Sequence, residues 1–136
     1  MTWFLDTNIC IYHLKNSAPK MSERLKKTLT SDVKIPSMVA AELLYGAEKS
    51  GKRAYNLKVL QAFFALYEII PFSDQAITHY AAIRTGLERK GQPIGGNDLV
   101  IAATVMAHGG VLVTHNTSEF SRVEGLLLDD WVVFDA

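Results

Sequence analysis

Short apolar runs that end abruptly, each followed by a segment of helical periodicity, constrain this chain more than any other feature of its sequence. Thr2-Trp3-Phe4-Leu5 breaks into Asp6-Thr7-Asn8, Val33-Lys34-Ile35 is closed by Pro36, Glu68-Ile69-Ile70 by Pro71, and Val111-Leu112-Val113-Thr114 runs into His115-Asn116. Such runs suit buried strands, and strands that alternate with helices produce right-handed crossovers and a parallel sheet covered on both faces. The expected fold is α/β, with a short parallel β-sheet of four to five strands and helices on both faces. Leu126-Leu127-Leu128 and Val132-Val133-Phe134, flanking Asp129-Asp130-Trp131, are candidate edge strands.

Between the strands, Ile9 to Leu14 reads as a short helix, and Pro19 suits the first turn of another whose apolar stripe is Met21, Leu25 and Leu29. Ser37 is placed to cap a helix through Ala47 that is apolar on nearly every side, which predicts a buried helix. Leu57, Leu60 and Phe64 mark the next. Ser73-Asp74 opens a long helix with Ile77, Tyr80, Ala81, Arg84 and Leu87 near one face and Gly91 as its stop. Asn97-Asp98 leads into a thoroughly apolar helix, Leu99 to Ala107, ended by Gly109-Gly110. No repeat, low-complexity tract or linker divides the chain, so residues 1–136 are expected to form one domain.

The 136 residues include a single cysteine, Cys10, which rules out an intrachain disulfide and reads as a small buried hydrophobe. No apolar run approaches the roughly 18 to 20 residues of a membrane span, and the N-terminus lacks a signal-peptide pattern. A soluble, cytoplasmic protein is the expectation. Net charge is zero, yet from Lys15 to Lys58 ten basic residues face four acidic ones, and from Val59 onward four basic face nine acidic. A basic first half can track a phosphate backbone near acids supplied by the second half; ordinary solvated helix faces account for it equally well.

Several acids stand at strand or helix ends. Asp6 closes the first strand, where ligands bind in open α/β folds, although Asp is also a good helix N-cap. Glu42 is a lone carboxylate in an apolar helix; left ionised and unpaired there it costs several kcal/mol, so it must be neutral, paired or bound to a cation. Asp98 is the only acid between Gly95 and Ala107, with an N-cap as the alternative. Asn116 and Glu119 have the spacing of a capping box, and His115 reads as a hydrogen-bonded side chain more readily than as a base or ligand. If the first and fourth strands are adjacent, Asp6 and Asn116 lie side by side at the switch point. Carboxylates gathered there repel by roughly 4 kcal/mol per close pair at an effective dielectric of 20, and hard oxygen donors of this kind select Mg²⁺ or Mn²⁺.

Leu5-Asp6-Thr7-Asn8, Ser37 with Ala41-Glu42-Leu43 and Tyr45-Gly46, Gly96-Asn97-Asp98-Leu99-Val100-Ile101-Ala102, and Val113-Thr114-His115-Asn116 with Glu119-Phe120 together resemble the PIN-domain ribonucleases, above all the VapC-type toxins of toxin–antitoxin pairs. The resemblance covers essentially the whole chain. It implies a PIN-like domain that hydrolyses RNA, tRNA or another structured RNA among the substrates, with Mg²⁺ or Mn²⁺. Asp6 and Asp98 match the metal ligands, and Glu42 the acid that acts through metal-bound water or a second ion. Asn116 stands where many PIN domains carry a fourth acid, with Glu119 as the substitute, and Thr7, Asn8 and Thr114 match positions that orient the carboxylates or water. The resemblance also implies a VapB-type antitoxin and a homodimer or higher assembly. The alternatives are another Mg²⁺-dependent phosphoryl-transfer domain, of phosphatase or receiver type, and a non-catalytic binding module. The phosphatase needs a second Asp where Asn8 stands, and the receiver an acidic pair that Asp6 lacks.

Overall fold

In the computed structural model, which describes residues 1–134, five short strands form one parallel sheet in the order β3-β2-β1-β4-β5. The strands are β1 (Trp3–Leu5), β2 (Val33–Pro36), β3 (Glu68–Ile70), β4 (Val111–Val113) and β5 (Leu127–Asp129). The helices are α1 (Thr7–Leu14), α2 (Pro19–Lys27), α3 (Ser37–Glu48), α4 (Arg53–Phe64), α5 (Asp74–Arg89), α6 (Gly96–His108) and α7 (Thr117–Phe120). The α/β architecture with helices on both faces is therefore as expected. The last two residues of the expected 1–136 span lie outside the described residues.

The centre of the sheet is the pair β1 and β4, in register Trp3↔Val111, Phe4↔Leu112 and Leu5↔Val113. Phe4, Leu5, Leu112 and Val113 have no exposed surface. This is the continuous apolar run that a strand covered on both faces requires. Helix α6 lies against β2 and β4 and packs on α5, while α1 packs on α2 and α3, and α3 on α4. No helix among the described residues is long and apolar enough to cross a membrane.

Several local expectations are corrected. The two candidate edge strands at the C-terminus reduce to one, Leu127–Asp129, because Val132 to Phe134 pair with no strand. Helix α3 is not buried all round: Ala41, Leu44 and Tyr45 are exposed, Tyr45 by 65%. Its apolar composition is therefore partly a surface property. On α5 the inward face is Ala76, Ile83 and Leu87 with Tyr80, at spacings of four, three and four; Ile77 and Ala81 point outward. Leu29 lies beyond the end of α2 and is exposed. Ser37 is the first residue of α3, not its cap, and its hydroxyl accepts the Phe72 amide at 3.2 Å, tying β2 to the segment after β3.

The turn into β4 uses two glycines for different reasons. Gly109 adopts φ 73° to end α6. Gly110 permits a close approach, since a Cβ there would stand 2.6 and 2.7 Å from the Phe4 ring and 3.0 Å from the Thr2 carbonyl. Gly110→Ala is expected to destabilise the protein by about 1–3 kcal/mol, because the fully buried ring has little room to retreat. Urea unfolding measures this, and an unchanged midpoint would contradict it.

Candidate active site

The carboxyl ends of the strands gather the acidic residues. Asp6 follows β1 and is 5% exposed. It is the N-cap of α1, with Oδ1 accepting the Thr7 amide at 2.8 Å, while Oδ2 accepts the Thr114 hydroxyl at 2.7 Å. The cap and ligand readings are thus compatible, because capping occupies one oxygen. Thr114 directly follows β4, so this contact exists only because β1 and β4 are neighbours.

Thr7 joins a second acid to the first. Its hydroxyl donates to Glu42 Oε1 at 2.7 Å, and Glu42 Oε2 accepts the Asn97 amide at 3.4 Å. Neither partner is a base, so Glu42 is held by neutral donors on α1 and α6. Asp98 is the third residue of α6, whose N-cap is Gly95, so the capping alternative does not hold for it. Asn116 is the N-cap of α7, but its side chain makes no capping bond. Instead Asn116 Nδ2 donates to Glu119 Oε2 at 3.0 Å, and the other Glu119 oxygen accepts the Gly95 amide at 3.1 Å. The capping box is absent, and Glu119 is turned toward the start of α6.

Electrostatics binds these groups into one cluster. The Asp98 carboxyl is pushed up to about 7, first by burial, then by the charges of Asp6, Glu119 and Glu42, and by a hydrogen bond with Glu119. Asp6 is also raised, chiefly by burial, with the Thr114 and Thr7 bonds opposing and Glu42 and Glu119 adding repulsion. Glu119 is held below the usual carboxylate range, first by the Asn116 bond and then by the Gly95 amide. The charges of Glu42 and Glu119 thus act on both Asp6 and Asp98, and that of Asp6 on Asp98. Among the described residues no three carboxylate, imidazole or thiol groups converge closely enough to enclose an ion as they stand. The donor chemistry itself fits a hard divalent cation: every acid offers oxygen, and the repulsion that adds to burial in raising Asp98 is what a cation relieves.

Other expected residues fall outside this cluster. Asn8 is exposed on the first turn of α1, and the bonds to the carboxylates run through Thr7. His115 points away to Asp130 at 2.9 Å and packs edge-on to Tyr12 and Phe134, which makes it the hydrogen-bonded side chain expected. Sequence reasoning missed Asn97 and Gly95. Asn97 sat in a recognisable motif but read as a helix-start residue, and Gly95 contributes a backbone N–H, which carries no side-chain signal.

A parallel α/β domain with carboxylates gathered at the carboxyl edge of its sheet is an arrangement that several kinds of phosphoryl-transfer domain share, and the family comparison decides among them: the PIN domain model matches residues 3–126. The chain is 40% identical over 132 residues to Ribonuclease VapC2 of Rickettsia felis, covering 96% of this chain and 98% of that one. It is 40% identical over 131 residues to the tRNA(fMet)-specific endonuclease VapC of Salmonella typhimurium, with the same coverage. Among solved structures it is similar to the Rickettsia felis VapBC2 complex bound to a promoter DNA fragment, with a TM-score of 0.91, 39% identity, and coverage of 96% of this chain and 99% of that one. The chain belongs to the PIN-domain family, in its branch of VapC ribonucleases.

The raised Asp98 carboxyl has a consequence for stability without cations. A group that holds its proton more tightly folded than unfolded favours folding at low pH, and that advantage is lost as pH rises from about 3.8 to about 7. Asp98→Asn, which cannot ionise, is expected to be more stable than the parent at pH 8 in EDTA by about 1–2 kcal/mol after allowance for its half-exposed position. The gap should close toward pH 4. Urea unfolding across that range tests it, and a pH-independent difference would rule it out.

Proposed function

We propose that the pocket formed by Asp6, Glu42, Asp98 and Glu119 is the active site of a Mg²⁺- or Mn²⁺-dependent endoribonuclease, the toxin of a VapBC-type toxin–antitoxin system. The observation that carries this reading is the gathering of four carboxylates, from the end of β1 and from α3, α6 and α7, at one edge of the sheet, with Asp6, Glu42 and Glu119 held by Thr114, Thr7, Asn97, Asn116 and Gly95. In a structural cluster of caps and ion pairs, Glu42 would face a base; here it faces Thr7 and Asn97.

Asp6 and Asp98 are assigned as the metal ligands, with Glu42 acting through a metal-bound water or on a second ion. PIN-domain nucleases generally depend on divalent metals, and such an ion supplies a low-pKa water and neutralises charge on the phosphate. The chain's own residues do the positioning. Thr114 and Thr7 orient the two Asp6 oxygens, Thr7 and Asn97 orient Glu42, and Asn116 serves Glu119 instead of ligating. Glu119 thereby takes the place of the acid that Asn116 lacks.

The substrate assigned is RNA, and tRNA in particular, the substrate for which the Salmonella relative is named; the place of action is the cytoplasm. The partner is a VapB-type antitoxin, as in the VapBC complexes of Rickettsia felis and Salmonella typhimurium. An apolar groove of about 360 Å³ between α1, α3 and α4, lined by Ile11, Leu14, Leu43, Ala47 and Leu60 with Glu42 at its border, offers that partner a seat reaching the active site. The exposed Leu44, Tyr45 and Ile77 give helices of two copies apolar surface for pairing.

Purified protein is expected to cleave tRNA with Mg²⁺ or Mn²⁺ and to stop in EDTA. Asp6→Asn and Asp98→Asn should each lower the rate by at least about 100-fold while far-ultraviolet circular dichroism and cooperative unfolding persist. Cleavage surviving in EDTA, or at parental rate in both variants, would refute the assignment.

A further inference from the structure

The loop that delivers Asp98 is intrinsically soft. Residues 91–96, Gly-Gln-Pro-Ile-Gly-Gly, contain three glycines and a proline that lacks an N–H, so few backbone bonds can hold them. At its start Gln92 N donates to Leu87 O at 2.9 Å, and at its end Leu99 N donates to Gly95 O at 3.0 Å. Ile94 is buried between them and anchors the middle by packing. Gly91 N also donates to Glu88 O at 3.1 Å, and two further ties come from α7 and the segment after it. Arg122 Nη1 donates to the Pro93 carbonyl at 3.1 Å, and Gly95 N donates to Glu119 Oε1 at 3.1 Å.

Both ties originate in one turn of chain. Arg122 lies three residues after Glu119 and its amide donates to the Glu119 carbonyl at 3.1 Å, so one turn of backbone presents both side chains. The same turn is fixed to the centre of the sheet, because the Asn116 amide donates to Thr114 Oγ1 at 3.0 Å and that hydroxyl donates to Asp6. A continuous path thus runs from Asp6 through Thr114, Asn116 and Glu119 to Gly95, and Arg122 closes it on Pro93. Arg122 is exposed and precedes the buried Val123. Its guanidinium also lies close enough to Glu119 to favour that carboxylate's charge.

We infer that Arg122 is a positioning residue: by clamping the 91–96 loop to α7 it sets the separation of Asp98 and Glu119, and so the capacity of the pocket to take a divalent cation. This rests on the metal-dependent reading above. Arginine suits the task because a charged, planar donor makes a directional bond to a carbonyl on a surface where a neutral donor would exchange with water.

The test is Mn²⁺ binding followed by calorimetry on the purified protein. Arg122→Met keeps the stem and deletes the donor; it is expected to weaken Mn²⁺ by about 10–100-fold, the usual effect of removing an outer-shell support. Arg122→Lys, which retains a charged donor, should recover most of the affinity. Gly95→Pro deletes the N–H facing Glu119 at a φ of −59°, which proline adopts, and should weaken Mn²⁺ similarly, with the double variant losing less than the sum. In cleavage assays of Arg122→Met the Mn²⁺ concentration for half-maximal rate should rise, while the rate at saturating Mn²⁺ stays close to parental. Wild-type affinity in Arg122→Met would overturn the inference, as would a loss of affinity matched by a comparable fall in the metal-free melting temperature. If the parent itself binds no Mn²⁺, the metal reading fails separately, and the clamp is judged by amide exchange at Gly95 and Asp98. That exchange must speed up in Arg122→Met for the clamp to stand, and unchanged exchange would remove it.

Discussion

The parallel pairing of β1 with β4 is the constraint on which the rest of this protein depends. These strands are only three residues long, and neither could persist without burial on both faces, which Phe4, Leu5, Leu112 and Val113 achieve with no exposed surface. Their register puts Leu5 beside Val113, so the residues that follow, Asp6 and Thr114, meet as a consequence of the ladder. The Gly110 approach to Phe4 is a necessary part of the same geometry, because a side chain there would push β4 away from β1.

From that pairing the site is assembled by helices whose starts all lie at one edge. Asp6 caps α1, Glu42 rides in the second turn of α3, Asp98 in the first turn of α6, and Glu119 in α7. Each acid would be unremarkable alone, and the energy enters through proximity. Burial and like charge together lift Asp98 to about 7, which no isolated exposed aspartate reaches. The neutral donors Thr7, Asn97, Thr114 and Asn116 aim the carboxylates without cancelling their charge. Burial and the mutual repulsion of these acids are what raise Asp6 and Asp98.

The unevenness of the charge distribution along the chain takes on a different meaning in the folded state. Much of the basic first half is spent on local pairs, such as Lys27 with Glu23, Arg53 with Glu48, and Lys34 with Glu68 across β2 and β3. Arg24 stacks over Trp131 at 4.4 Å and bonds Asp129, which fastens α2 to the end of the sheet. These are largely exposed pairs of small individual worth, and they engage four of the ten basic residues between Lys15 and Lys58.

The alternation of short apolar runs with helical segments was legible in the sequence, and so were the strand ends bearing Asp6 and Asn116, because hydrophobic periodicity and breaking residues are local signals. Composition also marked Glu42 as an acid without an obvious place. What only the tertiary structure decided was orientation and partnership. Helix α3 turned out half exposed, α5 presented Ala76 and Ile83 inward instead of Ile77, and Asn116 bonded Glu119 instead of capping. The supporting roles of Asn97, Gly95 and Arg122 depend on contacts spanning 55, 24 and 29 residues, and the Gly95 contact is made by a backbone amide that every residue but proline possesses. Local pattern determines which segments exist and where acids stand at their ends; the distances that make those acids one site arise only when the strands pair.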